Sequence, residues 1–247
     1  PPDIFFGGFY FYFMQVITEV CCCDIESALA AQRAGAGRIE LCTNLSENGT
    51  TPSYGNIMLA KEQLKIPVHV FLAPRGGDFV YTETEMKVML HDAVMATKCG
   101  ADALVVGCLT EKNELDIIKL KSIQQAAPNT SLTFHRAFDL IADPFVAMET
   151  LIQLGFKSIL TSGQKQTAIE GCKMIEALID KAAGRIEIIA AAGINSSNIQ
   201  KLVAMSGAAS VHFSAKKNLG DAGAEPFSTA RWSSSEEEIK RCVDLLR

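Results

Sequence analysis

Along most of the chain, short apolar runs alternate with longer stretches in which apolar residues return every three or four positions. The short runs, rich in Val, Ile, Leu and Thr, predict strands at Val16–Cys22, Arg38–Leu41, Val68–Leu72, Ala103–Gly107, Leu132–His135, Ser158–Thr161, Ile186–Ala190 and Ser210–Phe213. The longer stretches predict helices at Asp24–Ala34, Ser53–Leu64, Glu83–Cys99, Leu115–Ala126, Pro144–Leu154, Ala168–Ala182, Asn195–Met205 and Glu236–Leu246. A Gly- and Ser-containing stretch separates the last strand from the last helix.

End signals agree with these boundaries. Asp24 stands where an N-cap belongs, Asp143 precedes Pro144 at a first helical position, and Gly35 stops the first helix. AGAGRIEL, KCGADALVV, QLGFKSIL and MSGAASVHF each put Gly just past a helix and a β-rich run soon after. Strict strand–helix alternation implies a parallel sheet with crossover helices. Eight units in a chain of 247 residues fit a single (β/α)8 TIM-type barrel, and no Pro- or Ser-rich linker divides it.

Composition refines this picture at three points. The net charge of −5 gives no electrostatic reason to expect nucleic acid or an anionic membrane as partner. The eight cysteines include three in a row, Cys21 to Cys23, which neither a disulfide framework nor a CxxC metal motif explains; a reducing cytoplasm is expected. The first thirteen residues, PPDIFFGGFYFYF, lack the basic start of a signal peptide and the length of a membrane helix. They read as an upstream extension, with Met14 as the start of a single domain spanning 14–247.

Barrels of this kind place their chemistry where the strands end. There the sequence puts Glu19 and Cys21, then Glu40 and Cys42, then Arg75 and Asp78 in PRGGDF. His135, Arg136 and Asp139 follow strand 5, Ser162 strand 6 and Gly193 strand 7; His212 and Ser214 close strand 8. The opposite rim shows mostly Gly and small apolar residues. Buried Glu19 and Glu40 need cations, and Arg75, Arg136 and the two histidines are the expected partners.

One reading of this rim is an enzyme for a small anionic or sugar-like substrate. His135 would be the acid or base, with Arg136, Asp139, Glu19 and Glu40 around it. Arg75, Asp78, Ser162, Gly193, His212 and Ser214 would hold the substrate, the loops after strands 7 and 8 taking an anion. Helix capping explains the Asn and Ser residues after Gly193 equally well, and a structural ion network explains the charges. The excess of acids over arginines leads one to expect a readily charged His135 or His212. His69 and His91 read as structural. Thiols offer another reading: consecutive strands pair, which would bring Cys21 and Cys42 onto neighbours about 5 Å apart.

TEVCCCDIESALAAQRAGAGRIELC, GTTPSYG, PRGGDF, LTFHRAFD, LTSGQ and VHFSA together resemble the CutC copper-homeostasis family, in its order and over most of the chain. The resemblance implies a (β/α)8 barrel, a cytoplasmic location, homo-oligomers and a role in handling copper. It also implies Cu(I) ligands at Cys21 and Cys42. The chain departs from the pattern at Ala73, where an Arg is usual before Pro74.

Overall fold

The computed structural model describes residues 16–222 and 229–247; the expected extension and Met14 lie outside them. Eight parallel strands close into a barrel in the order β1 to β8: β1 (Ile17–Cys22), β2 (Arg38–Leu41), β3 (Val68–Phe71), β4 (Ala103–Val106), β5 (Ser131–Phe134), β6 (Ser158–Thr161), β7 (Glu187–Ala191) and β8 (Ser210–Phe213). Between them run α1 (Ile25–Arg33), α2 (Tyr54–Gln63), α3 (Glu83–Lys98), α4 (Ile117–Ala126), α5 (Pro144–Gln153), α6 (Cys172–Ala182) and α7 (Ile199–Ser206), and α8 (Glu236–Asp244) ends the chain.

Local chemistry sets the helix starts. Asp24 accepts from Ser27 N, Thr82 and Glu85 form a capping box, and Asp143 accepts from Phe145 N and Val146 N ahead of Pro144. Two helices begin later than their apolar pattern implies, α6 at Cys172 and α7 at Ile199. The segments before them are turns.

Successive strand residues point to opposite faces. Even-numbered residues of β1 and odd-numbered residues of β2, such as Val20, Cys22, Ile39 and Leu41, face the helices and join one large apolar core with Ala28, Met89, Ile123 and Leu178. The other set faces the barrel axis. There the apolar clusters are small: Cys21, Cys42, Phe71, Ala73 and Val105 on one side, Leu160, Ile189 and Ala191 on the other. Charged and polar side chains fill what remains, where barrels of this type usually hold branched apolar layers.

The stretch after β8 is a structured antiparallel hairpin, β9 (Lys216–Ala222) with β10 (Thr229–Ser234), and not the irregular segment its composition suggested. It is tied to α1, where Ser234 N donates to Ser27 Oγ at 3.0 Å, and within it the Lys216 ammonium of β9 lies 5.2 Å from the Trp232 ring centroid of β10.

Candidate metal centre

The polar interior begins at the N-terminal ends of the strands. Arg38, first in β2, is 8 % exposed and pairs with Glu19 at 2.5 Å and with Glu187, first in β7, at 3.1 Å. Ser158 and Ser210, the first residues of β6 and β8, also donate to Glu187. The rim expected to carry mostly Gly and small apolar residues thus also holds a buried ion pair. Of the partners expected for Glu19, the two arginines are replaced by Arg38, while one of the two histidines, His212, does meet it. The signal was in the strand alternation: Arg38, Glu40 and Cys42 share one parity of β2 and must share a face.

One layer up, Glu19 receives two imidazoles. His212 Nδ1 lies 2.8 Å from its Oε1, and His69 Nδ1 lies 3.1 Å from its Oε2, out of line for a hydrogen bond. His69 therefore joins the interior group, a role beyond the one its mid-strand position suggested. Burial alone would push the Glu19 carboxyl up. The His212 bond, His69 and the Arg38 charge outweigh it and hold Glu19 well below the usual carboxylate range. Burial also opposes the His212 imidazolium, but the charge of Glu40, the Cys21 contact and the Glu19 bond together hold its pKa well above 6.5. The expected charged histidine is His212.

The top layer holds the thiols. Cys21 Sγ and Cys42 Sγ lie 3.6 Å apart, on neighbouring strands whose register pairs Cys21 with Glu40 and Cys22 with Leu41. Both are buried, and all eight cysteines are free. Contact with Cys42, and then burial, push the Cys21 thiol well up. Cys21, Cys42 and Glu40 each place a donor atom within 4.8 Å of the others, as do Glu19, Glu40 and His212. Glu40 belongs to both groups. Its Oε2 is buried without a hydrogen-bond partner, and desolvation raises its pKa. Cys23 and Leu45 pack against this cluster and also line a cleft of about 710 Å³ under the hairpin, with Asp24, Asn44, Leu219 and Trp232. One layer of side chains thus separates the thiol pair from the open end of the barrel.

The remaining expected residues lie elsewhere. His135 is buried, with its ring centroid 5.2 Å from Phe71 and 4.7 Å from Phe79. Its Nδ1 accepts from Ala137 N at 3.1 Å, which puts the proton on Nε2. A Cβ on Gly107 would come within 2.2 Å of the ring, so only glycine admits it there. Burial drives the His135 pKa down to about 3, helped by the Arg136 charge, so the ring is neutral near neutral pH. Arg136 pairs with Asp139 at 2.9 Å and donates to Ser162 Oγ at 3.1 Å. Arg75 is held by Glu85 at 2.6 Å and Asp78 at 3.0 Å. Neither arginine reaches Glu19 or Glu40 in the described ion pairs.

Gly193, at φ +70°, carries a carbonyl that accepts from Asn198 Nδ2, and Ser214 is half-buried just past β8. In the loop after β7 the expected anion position is filled from within: the Glu238 carboxylate of α8 takes Ser196 N at 2.7 Å and Ser196 Oγ at 3.0 Å.

A closed parallel barrel with a buried pair of thiols, two carboxylates and two imidazoles on one side of its axis defines a (β/α)8 protein whose interior is equipped for a metal ion. The chain belongs to the CutC family, whose profile matches residues 16–217. It is 46 % identical over 202 residues to the copper homeostasis protein cutC homolog of Mus musculus, covering 82 % of this chain and 74 % of that one. It is 46 % identical over 202 residues to a family protein CutC of Bacteroides thetaiotaomicron, covering 81 % of each. The crystal structure of a CutC protein from Streptococcus agalactiae superposes with a TM-score of 0.78 at 36 % identity, over 80 % of this chain and 98 % of that one. Phosphoribosylanthranilate isomerase from Pyrococcus furiosus shares the fold at a TM-score of 0.57 and 12 % identity, over 94 % of this chain and 98 % of that one.

Proposed function

We propose that this protein binds Cu(I) as cargo through Cys21 and Cys42, in the copper homeostasis that its relatives' names describe. The observation that carries this is the buried pair of free thiols 3.6 Å apart. Thiolates are the soft donors that select Cu(I), and two of them suffice for it. Ion entry displaces the thiol protons and needs only small rotamer shifts. The adjoining cleft, with Cys23 at its inner edge, supplies the approach.

A reducing cytoplasm suits eight unpaired cysteines, and we place the protein there, as a homo-oligomer. No helix among the described residues is long and apolar enough to cross a membrane. The enzyme reading is less well supported: both candidate arginine clamps are engaged by carboxylates of the same chain, His135 is enclosed by aromatic rings, and Glu238 occupies the loop after β7.

Anaerobic Cu(I) titration against a competing chelator tests the proposal. Cys21→Ser and Cys42→Ser should each weaken binding by at least about tenfold, the low end of what losing even an outer-shell partner costs. Unchanged affinity in both variants would remove the site.

A further inference from the structure

We infer that Cys21, Cys42, Glu40 and His212 form a four-donor site for a divalent cation of the zinc class. The inference rests on the reading that the two cysteines are metal ligands. It adds two ligands and a second kind of ion.

The thiol geometry is the first observation. With metal–sulfur bonds of about 2.3 Å, two sulfurs of a tetrahedral site lie about 3.8 Å apart, whereas a linear two-sulfur site of the same bond length needs about 4.6 Å. The observed separation is 3.6 Å. The pair is set for a tetrahedral edge and must open by about 1 Å for a linear ion.

The second observation is what surrounds the pair. Two thiolates alone are complete for a soft monovalent ion, and a carboxylate is a hard donor that adds little to it. Zinc accepts sulfur, imidazole nitrogen and carboxylate oxygen together. Glu40 offers an oxygen within 4.8 Å of both sulfurs, and its buried Oε2 has no partner in the fold. A buried carboxylate beside two thiols, with one oxygen lacking a partner, keeps acceptor capacity that a metal ion could take.

The third is the orientation of His212. Its Nδ1 is fixed on Glu19 at 2.8 Å, and its Nε2 faces Glu40 Oε1 at 4.0 Å. A carboxylate behind one ring nitrogen, with the other facing Glu40, the residue common to both donor groups, is the arrangement that orients metal-binding histidines. Arg38 behind Glu19 keeps that carboxylate engaged away from the ion. Glu19 then serves as a positioning residue, not a ligand. On binding, the two thiol protons and any proton on His212 Nε2 leave to solvent.

Reduced, metal-free full-length protein is titrated with Co²⁺ as a spectroscopic probe and then with Zn²⁺. The expected result is sulfur-to-cobalt charge transfer with intense tetrahedral visible bands, discharged by Zn²⁺. Glu40→Gln and His212→Gln, checked for folding by circular dichroism, should each weaken Zn²⁺ by at least about tenfold while Cu(I) affinity stays within about threefold. A wild-type cobalt spectrum with weak octahedral bands and no charge transfer overturns the inference even if a variant fails to fold. So does unchanged Zn²⁺ affinity in both folded variants. In either case Cu(I) binding that still depends on Cys21 and Cys42 leaves the copper reading standing. Cysteine variants that retain both metals overturn both.

Discussion

Two polar clusters sit in this barrel, and they are built on opposite plans. At the ends of β5 and β6, Asp139 accepts from Arg136 Nε, Thr161 Oγ1, Ser162 N and Gln164 N, with Ser162 Oγ 2.9 Å away. Its partners all come from its own turn or the adjacent loop. Along β1, β2 and β8 the interior column runs from Arg38 through Glu19 and His212 to Glu40 and the thiols, and at its upper end Glu40 Oε2 has no partner. The first cluster is complete and holds two loops together. The second pairs Glu19 with Arg38 and His212 but leaves His69 Nδ1 and, at the top, Glu40 Oε2 without a partner. A saturated network is structure, whereas a network saturated only in part has room for a ligand.

The largest effect should follow removal of the charge at the middle of the column. Glu19→Gln leaves Arg38 buried with Glu187 as its remaining carboxylate and takes away the anion facing His212, which should destabilise the fold by about 3–5 kcal/mol. Urea unfolding measures it. A loss under about 1 kcal/mol, the range of exposed pairs, would show that the column is not a coupled unit.

The next effect is set by pH. His135 has a folded pKa of about 3, below its unfolded value, so the unfolded chain takes up that proton first as pH falls. Its penalty is absent above the unfolded pKa and grows as pH drops from there toward 3, by up to about 1.4 kcal/mol per pH unit. His212 works in the other window: its folded pKa is raised, so the stability it contributes is present below the unfolded value and lost as pH rises through the folded one. His135→Asn keeps an acceptor for Ala137 N and should flatten the acid limb of a stability–pH profile. An unaltered acid limb would mean that other groups set it.

The smallest effect belongs to the rim. The Arg136 side chain is 44 % exposed, and Asp139 keeps its remaining donors without it. Arg136→Ala should change stability by less than about 1 kcal/mol in the same unfolding experiment. A loss as large as that of Glu19→Gln would erase the distinction between the two clusters.

The fold was legible because each strand is marked twice, by its β-rich run and by the Gly that ends the preceding helix. β2, β6 and β8 fall where the apolar runs put them. The hairpin was not legible: KKNLGDA and TARWSS have no alternating apolar face, and their strands are held by each other and by α1. Within the site, Cys21, Cys42, Glu19, Glu40 and His212 were visible as strand-end residues, and pairing of β1 with β2 brought the thiols together as expected. Arg38, Glu187 and His69 were missed because they lie at the starts or middles of strands, although their parity already aimed them inward. The expected pairing of Arg75 and Arg136 with Glu19 and Glu40 failed for a different reason. Each has an acid three residues on, and such a local partner is met before a distant one.

The column has a consequence for traffic. Its lower end carries the Arg38–Glu187 pair, with Ser158 and Ser210 both donating to Glu187. A cation drawn down past the thiols meets the fixed positive charge of a guanidinium at the floor. On the proposed copper reading, that charge works against passage through the barrel and favours entry and exit at the thiol end. If the thiols hold an ion, loading and unloading would take turns at that one end, and a donor and a recipient of the ion would compete for the same approach.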